Sequence, residues 1–140
     1  EADEAVFLDR PSMALLLTEE HVIKDGPIPA DGVKNIELVT HKPGMAIEEF
    51  QRYWREVHGP LAAHIPSIRR YVQSHTRLAA YGRASPPAFD GLAITWFDSV
   101  DAMREGAKSP AYATTREDEP NFIAPGDPPT LITKEHVIVA

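Results

Sequence analysis

Hydrophobic and polar positions along the chain change period several times, and each change marks an element. From Asn35 to His41 the residues alternate, with Ile36, Leu38 and Thr40 on one side and Glu37, Val39 and His41 on the other. That alternation predicts a strand, and Lys42-Pro43-Gly44 stops it. Over Ala46–Val57 the apolar residues Ile47, Phe50, Trp54 and Val57 recur at helical spacing, Glu48 and Glu49 occupy the first turn, and Gly59-Pro60 is expected to end the helix. A second strand is expected over Ile68–Leu78, a loop over Ala79–Pro87 and a third strand over Phe89–Phe97. Asp98 or Ser99 can cap a helix over Val100–Ala107, which Ser109-Pro110 breaks. A Pro-rich loop, Pro120–Pro129, then precedes a last strand, Leu131–Val139.

The order β-α-β-β-α-β predicts an α+β, ferredoxin-like domain whose two helices cover one face of an antiparallel sheet. Val39, Ala93 and Phe97 are assigned to the other face. That face needs cover of its own, which a second sheet packed against it would supply.

The two ends of the chain repeat each other. Residues 3–23 and 118–138 align without a gap at an offset of 115, with nine identities: Asp3/Asp118, Glu4/Glu119, Phe7/Phe122, Leu16/Leu131, Thr18/Thr133, Glu20/Glu135, His21/His136, Val22/Val137 and Ile23/Ile138. An offset of about one domain leads to the following expectation. Residues 1–23 are the last strand of a preceding, truncated copy, 24–32 are a Pro/Gly/Asp-rich linker, and 33–140 form one complete domain of a tandem-repeat protein. An opening residue, Glu1, that is not Met agrees with a piece of a longer protein. A strand around Leu15–Ile23 is too apolar to stay in water and is expected to pair with an open edge, of this chain or of another molecule.

Composition narrows the function classes. The 140 residues carry a formal charge of −7, and the one basic cluster, Arg69, Arg70 and Arg77, is small, so nucleic acid is not expected as a partner. There is no cysteine, which removes disulfides, thiolate metal sites and cysteine nucleophiles. Neither a membrane-spanning apolar run nor a signal peptide is visible, so the chain is read as cytoplasmic. Metal ligands at helical spacing, a phosphate-binding glycine loop and a Gly-x-Ser-x-Gly elbow are all missing, so neither metal nor cofactor is expected.

The most informative run is Phe50 to Leu61. Phe50, Trp54 and His58 stand at i, i+4 and i+8 and share one helix face. At a helix end, His58 would feel the dipole favouring its charged form and burial opposing it. It could then shuttle a proton near neutral pH, or simply cap its own helix. Tyr53 offers a hydroxyl to a substrate oxygen, while Trp54 and Phe50 read as cavity wall or core. His75 and His41 on strands, and Trp96 on the third strand of the complete domain, are further candidates for the same cavity. His64 is expected to be exposed, and His21 and His136 are repeat partners.

Phe50-x-x-Tyr53-Trp54-x-x-x-His58-Gly59-Pro60 and Arg70-Tyr71-Val72-Gln73-x-His75 resemble the EthD-type family, as do Trp96-Phe97-Asp98-Ser99, Ser109-Pro110-x-Tyr112, Asp118-Glu119-x-x-Phe122 and Glu135-x-Val137. The resemblance implies a dimeric α+β barrel related to muconolactone isomerase-like proteins. It also implies a histidine near the end of the first helix facing the space between sheet and helices, and His58 is the matching residue. Three readings of function follow. The first is a cofactor-free isomerase, cyclase, dehydratase or lyase acting on a small hydrophobic or aromatic-derived carbonyl compound, with His58 as proton shuttle and Tyr53 and His75 assisting. The second is a non-catalytic binding or accessory protein of a catabolic, oxygenase-linked pathway. The third is an oxidoreductase. In each, the partners are a small hydrophobic metabolite and a second domain, from a homodimer or an intramolecular pseudo-dimer, packed through the sheet face.

Overall fold

In a computed structural model that describes residues 3–139, five strands form one fully antiparallel sheet. They are β1 (Thr18–Lys24), β2 (Val33–Val39), β3 (Arg70–Thr76), β4 (Gly91–Phe97) and β5 (Thr130–Thr133), arranged in the order β1-β3-β4-β2-β5. Strands β2 to β5 with the helices between them make the α+β ferredoxin-like pattern, and β1 adds a fifth strand on the β3 edge. The helices are α1 (Glu4–Phe7), α2 (Ile47–Tyr53), α3 (Gly59–Ala63), α4 (Val100–Gly106) and α5 (Pro110–Asp118). Among the described residues no helix is long and apolar enough to cross a membrane.

The strand register corrects the expected faces. Pairs that stand opposite each other share a side of the sheet, so Val39, Gly91 and His75 lie on one side with Glu37, Ala93 and Gln73. That is the side covered by helices, because Val39 packs with Phe50 and Trp54 while Phe97 packs with Ala62 and Ile65. Val39, Ala93 and Phe97 therefore face the helices. The open side carries Lys34, Ile36, Leu38, Leu92, Ile94 and Trp96. Bulk explains the choice. A flat aromatic ring needs small partners beneath it, and a Cβ added to Gly91 would meet the Trp54 ring at 2.7 Å and the Ser74 carbonyl oxygen at 2.5 Å.

Gly59-Pro60 does not end the first long helix. Over Trp54–His58 the chain widens into a π turn, in which the Gly59 N–H donates to the Trp54 carbonyl, and helix continues as α3 to Ala63. Pro60 has no N–H to lose at that point, and the wider turn relieves its ring of the carbonyl four residues earlier. The break expected at Ser109-Pro110 is present, since α4 ends at Gly106, but Pro110 also opens a further helix. It stands in the first turn of α5, with the Ser109 Oγ accepting the Tyr112 N–H at 3.2 Å. The last strand is shorter than its apolar pattern suggests, since only Thr130–Thr133 pair with β2. The N-terminal strand is present, and it pairs with the β3 edge of this same chain, Thr18 opposite Thr76 through to Val22 opposite Val72.

Candidate functional site

The helix-covered side of the sheet holds two apolar clusters. One is Val39, Phe50, Trp54 and Phe122; the other is built on Val33, Ala62, Ile65, Ile68, Tyr71 and Phe97, and Ala93 touches both. Between them, under the helices, lies a cavity of about 310 Å³. Its walls include Trp54, His58, Tyr71, Ala93, Tyr112 and Glu119. That volume is at the small end of ligand pockets.

His58 sits in the π turn, buried, and the ring Nδ1 lies 2.9 Å from Asp118 Oδ2. The same carboxylate accepts the Tyr53 hydroxyl at 2.6 Å and the Asn121 amide at 3.0 Å, both on Oδ1. Phe122 packs on the His58 and Tyr53 rings at 4.5 and 5.5 Å. Every acceptor position that matters on Asp118 is thus filled and the imidazole is locked, leaving Nε2 as its free nitrogen. Burial lowers the His58 pKa from its ordinary value, with help from Arg116, and outweighs the opposing pull of Asp118. His58 is therefore a neutral base at neutral pH. Burial alone would raise Asp118, but the hydrogen bonds from Tyr53, Asn121 and His58 win and hold its carboxyl below the usual range. Tyr53 is raised by its bond to Asp118 and by burial, so it stays a phenol.

Two more groups complete the wall. Tyr71 is 2% exposed, and its oxygen accepts the Trp54 indole N–H at 3.2 Å and the Gln73 amide at 3.0 Å. Its own proton has no acceptor among the described residues. Glu119 pairs with Arg116 at 2.8 Å, yet burial beside Glu37 raises its pKa to about 7. The cavity thus holds a histidine whose neutral form burial favours and a carboxyl whose pKa is pushed up toward neutral.

The other residues expected here lie elsewhere. Phe50 is core, wholly buried against Trp54 and Phe122, while Trp54 does form a cavity wall. Tyr53 reaches the site only through Asp118. His75 is stacked on the Trp54 ring at 4.6 Å and bonded to Gln73, but it opens toward a separate surface hollow with His21, Arg52 and Arg55. His41 is held by Asp90 at 2.6 Å near the far end of β2. Trp96 is on the open side of the sheet, under Lys34, because odd and even positions of β4 face opposite ways. His64 is exposed, as its place after the helix predicts.

Asp118, Glu119 and Tyr71 are the site residues that the sequence reading did not single out. All three stand inside motifs it did mark, Asp118-Glu119-x-x-Phe122 and Arg70-Tyr71-Val72-Gln73-x-His75. What hid the first two was α5, whose run from Ala111 to Glu117 has little apolar periodicity.

The arrangement defines a ferredoxin-like α+β protein with a histidine–carboxylate pair in a pocket between sheet and helices. Residues 42–126 match the EthD domain, and the chain belongs to that family. Among solved structures it is similar to an EthD family protein from Bacillus halodurans, at 17% identity and a TM-score of 0.60 over 75% of this chain and 99% of that one. It is also similar to a dimeric ferredoxin-like protein of unknown function from Bacteroides fragilis, at 16% identity and 0.55 over 75% and 97%. A third is SnoaB, a cofactor-independent oxygenase from Streptomyces nogalater, at 15% identity and 0.52 over 79% and 100%. At such identities these likenesses concern the fold. No curated protein is significantly similar in sequence.

Proposed function

We propose that this chain is a cofactor-free acid–base enzyme that moves a proton next to a carbonyl in a small, largely hydrophobic compound. The observation that carries the reading is His58: buried, neutral, oriented by Asp118 and facing a cavity. His58 Nε2 takes the proton from carbon, the Tyr71 hydroxyl donates to the carbonyl oxygen as charge gathers there, and protonated Glu119 returns a proton at a second position. The net result is isomerisation, or elimination where a leaving group accepts that second proton. Asp118 keeps the tautomer with Nδ1–H and stabilises the imidazolium once it forms. Tyr53, Trp54 and Phe50 are positioning residues in this scheme.

The test is a thermal-shift screen of small carbonyl compounds against the full chain, followed by NMR of the hits in D2O. Deuterium should enter at the carbon beside the carbonyl, and His58→Ala should stop it while still binding the compound. Tight binding with no exchange in the wild-type chain would overturn the enzyme reading and leave a carrier of hydrophobic metabolites. Consumption of dioxygen during turnover would place the chain among oxidoreductases instead.

The open side of the sheet supports a partner domain. Leu131, Ile36, Ile94, Val72 and Val22 stand side by side in one row across all five strands. A second sheet, from another copy or from a neighbouring repeat, would cover that row, in keeping with the dimeric state of the Bacteroides fragilis protein.

A further inference from the structure

The surface hollow beside His75 has a volume of about 440 Å³. One wall is the helix side of β1 and β3, where His21 stands opposite Gln73 and Glu19 opposite His75. The other is α2 with the π turn, from which Glu48, Gln51, Arg52 and Arg55 reach the hollow at steps of three and four residues. Arg77, just past β3, lines it too, so three guanidinium groups converge on one hollow of a chain whose formal charge is −7. Arg52 and Arg77 form no ion pair among the described residues, and Arg55 meets only its exposed neighbour Glu56, at 2.8 Å. Glu48 stands four residues before Arg52, a spacing at which such pairs form on a helix, yet the two do not meet.

The hollow also holds a fixed acceptor. The Gln73 amide nitrogen donates to the Trp54 carbonyl at 2.8 Å and to the Tyr71 oxygen at 3.0 Å, so it is the Gln73 oxygen that meets His75 Nε2 at 3.0 Å. That oxygen can only accept, so Nε2 carries the ring proton. Nδ1 has no partner among the described residues and is left as an acceptor, which burial and the nearby His21 and Arg55 keep unprotonated. With the histidines neutral, three arginines against Glu19 and Glu48 leave the lining at 3 − 2 = +1, a charge that suits a monoanion.

We propose that this hollow binds a small 2-hydroxycarboxylate. Arg52, Arg55 and Arg77 hold the carboxylate through the paired N–H donors of their planar guanidinium groups, and His75 Nδ1 accepts the ligand's hydroxyl proton. Trp54 separates this site from the cavity, lining the one and stacking on the His75 of the other, so the inference is independent of the acid–base reading.

Glycolate is the probe, titrated into the isotope-labelled full chain at neutral pH and fixed ionic strength, with acetate and chloride as separate titrants read by NMR. Glycolate should bind saturably, move the side-chain N–H signals of Arg52, Arg55 and Arg77 and the ring signals of His75, and bind about tenfold tighter than acetate, which has no hydroxyl. Arg52→Gln and Arg77→Gln should each weaken glycolate about tenfold, while Arg83→Gln, outside the hollow, should change nothing. His75→Phe should erase the preference for glycolate over acetate. Absence of saturable glycolate binding, acetate or chloride binding as tightly, or an equal loss in Arg83→Gln would overturn the proposal. Should His75→Phe fail to fold, the exposed arginine variants and the acetate comparison decide.

Discussion

His58 and His75 are both buried on the helix side of the sheet, and they differ in what they touch. His58 has a carboxylate on one nitrogen and a cavity on the other. His75 has a neutral amide, the face of Trp54 at 4.6 Å and the edge of His21 at 4.6 Å. Burial lowers both, but for His75 no carboxylate opposes it, and with His21 and Arg55 nearby its pKa falls to about 3. Burial thus favours the neutral form of both histidines, and only His58 has a carboxylate that fixes its tautomer and opposes the shift.

The sharpest way to break the comparison is to remove each ring. His58→Ala should lower turnover by about 100-fold or more, the usual worth of a general base. His75→Phe, which keeps the stack on Trp54, should leave turnover within a few-fold. Equal losses in steady-state kinetics would place the chemistry elsewhere. Next, Asp118→Asn should cost about tenfold or more in kcat, with KM little changed, because the tautomer is no longer fixed. NMR titration should show His58 lower still in that variant, since the partner that raises it is gone.

Packing around the shared Trp54 gives a third test. Gly91→Val drives a side chain into the Trp54 ring and the Ser74 carbonyl, and should cost about 1–3 kcal/mol in denaturant unfolding, the range for overpacking. It should also disturb both histidines, because Trp54 borders the cavity and stacks on His75.

The pH dependence separates the two regions further. His75 stays neutral in the folded chain, so below its ordinary value of 6.5 the unfolded chain binds the extra proton. Stability should therefore be lost as pH falls from about 6.5 toward 3, and His75→Phe should flatten that slope in thermal melts. Glu119 works the other way: its folded pKa of about 7 exceeds the ordinary 4.5, so its contribution is lost as pH rises between them. Turnover should be bell-shaped. An acid limb below 6.5 reports His58 losing its proton, and a limb near 7 reports Glu119 losing its own, so Glu119→Gln, which has no proton to give, should lower turnover and leave a residual rate that shows the acid limb only. The smallest effect is expected on the far side of the sheet, where Trp96→Phe should leave turnover unchanged in the same assay.

Much of the fold was legible in local patterning. Period-two runs found the strands, and the i, i+4, i+8 spacing found the face that Phe50, Trp54 and His58 share. The repeat at the chain ends announced a strand near Leu15–Ile23, and Thr18–Lys24 is one. The errors have a common origin. Proline was read only as a stop: at Pro60 the helix runs on through a π turn, while at Pro110 the expected break is present but the proline also starts a further helix whose cap is Ser109. Alternation separated the two faces of each strand but could not say which would be covered; the small residues Gly91 and Ala93 lie under the helices because Trp54 and the cavity need the room.

By itself the sequence determined the strands of the sheet, the helix face that Phe50, Trp54 and His58 share, and the family motifs, because each depends on residues near one another in the chain. Only the tertiary structure brought Asp118, 60 residues away, to within 2.9 Å of His58 Nδ1, set Tyr71 against Trp54 and Gln73, and placed Trp96 on the side of the sheet away from the cavity. Those outcomes are set by how α5 and the sheet close over the π turn, and by what water that closure excludes. Desolvation lowers both buried histidines, only His58 has a carboxylate set against that shift, and both effects belong to the packed molecule rather than to any stretch of the chain.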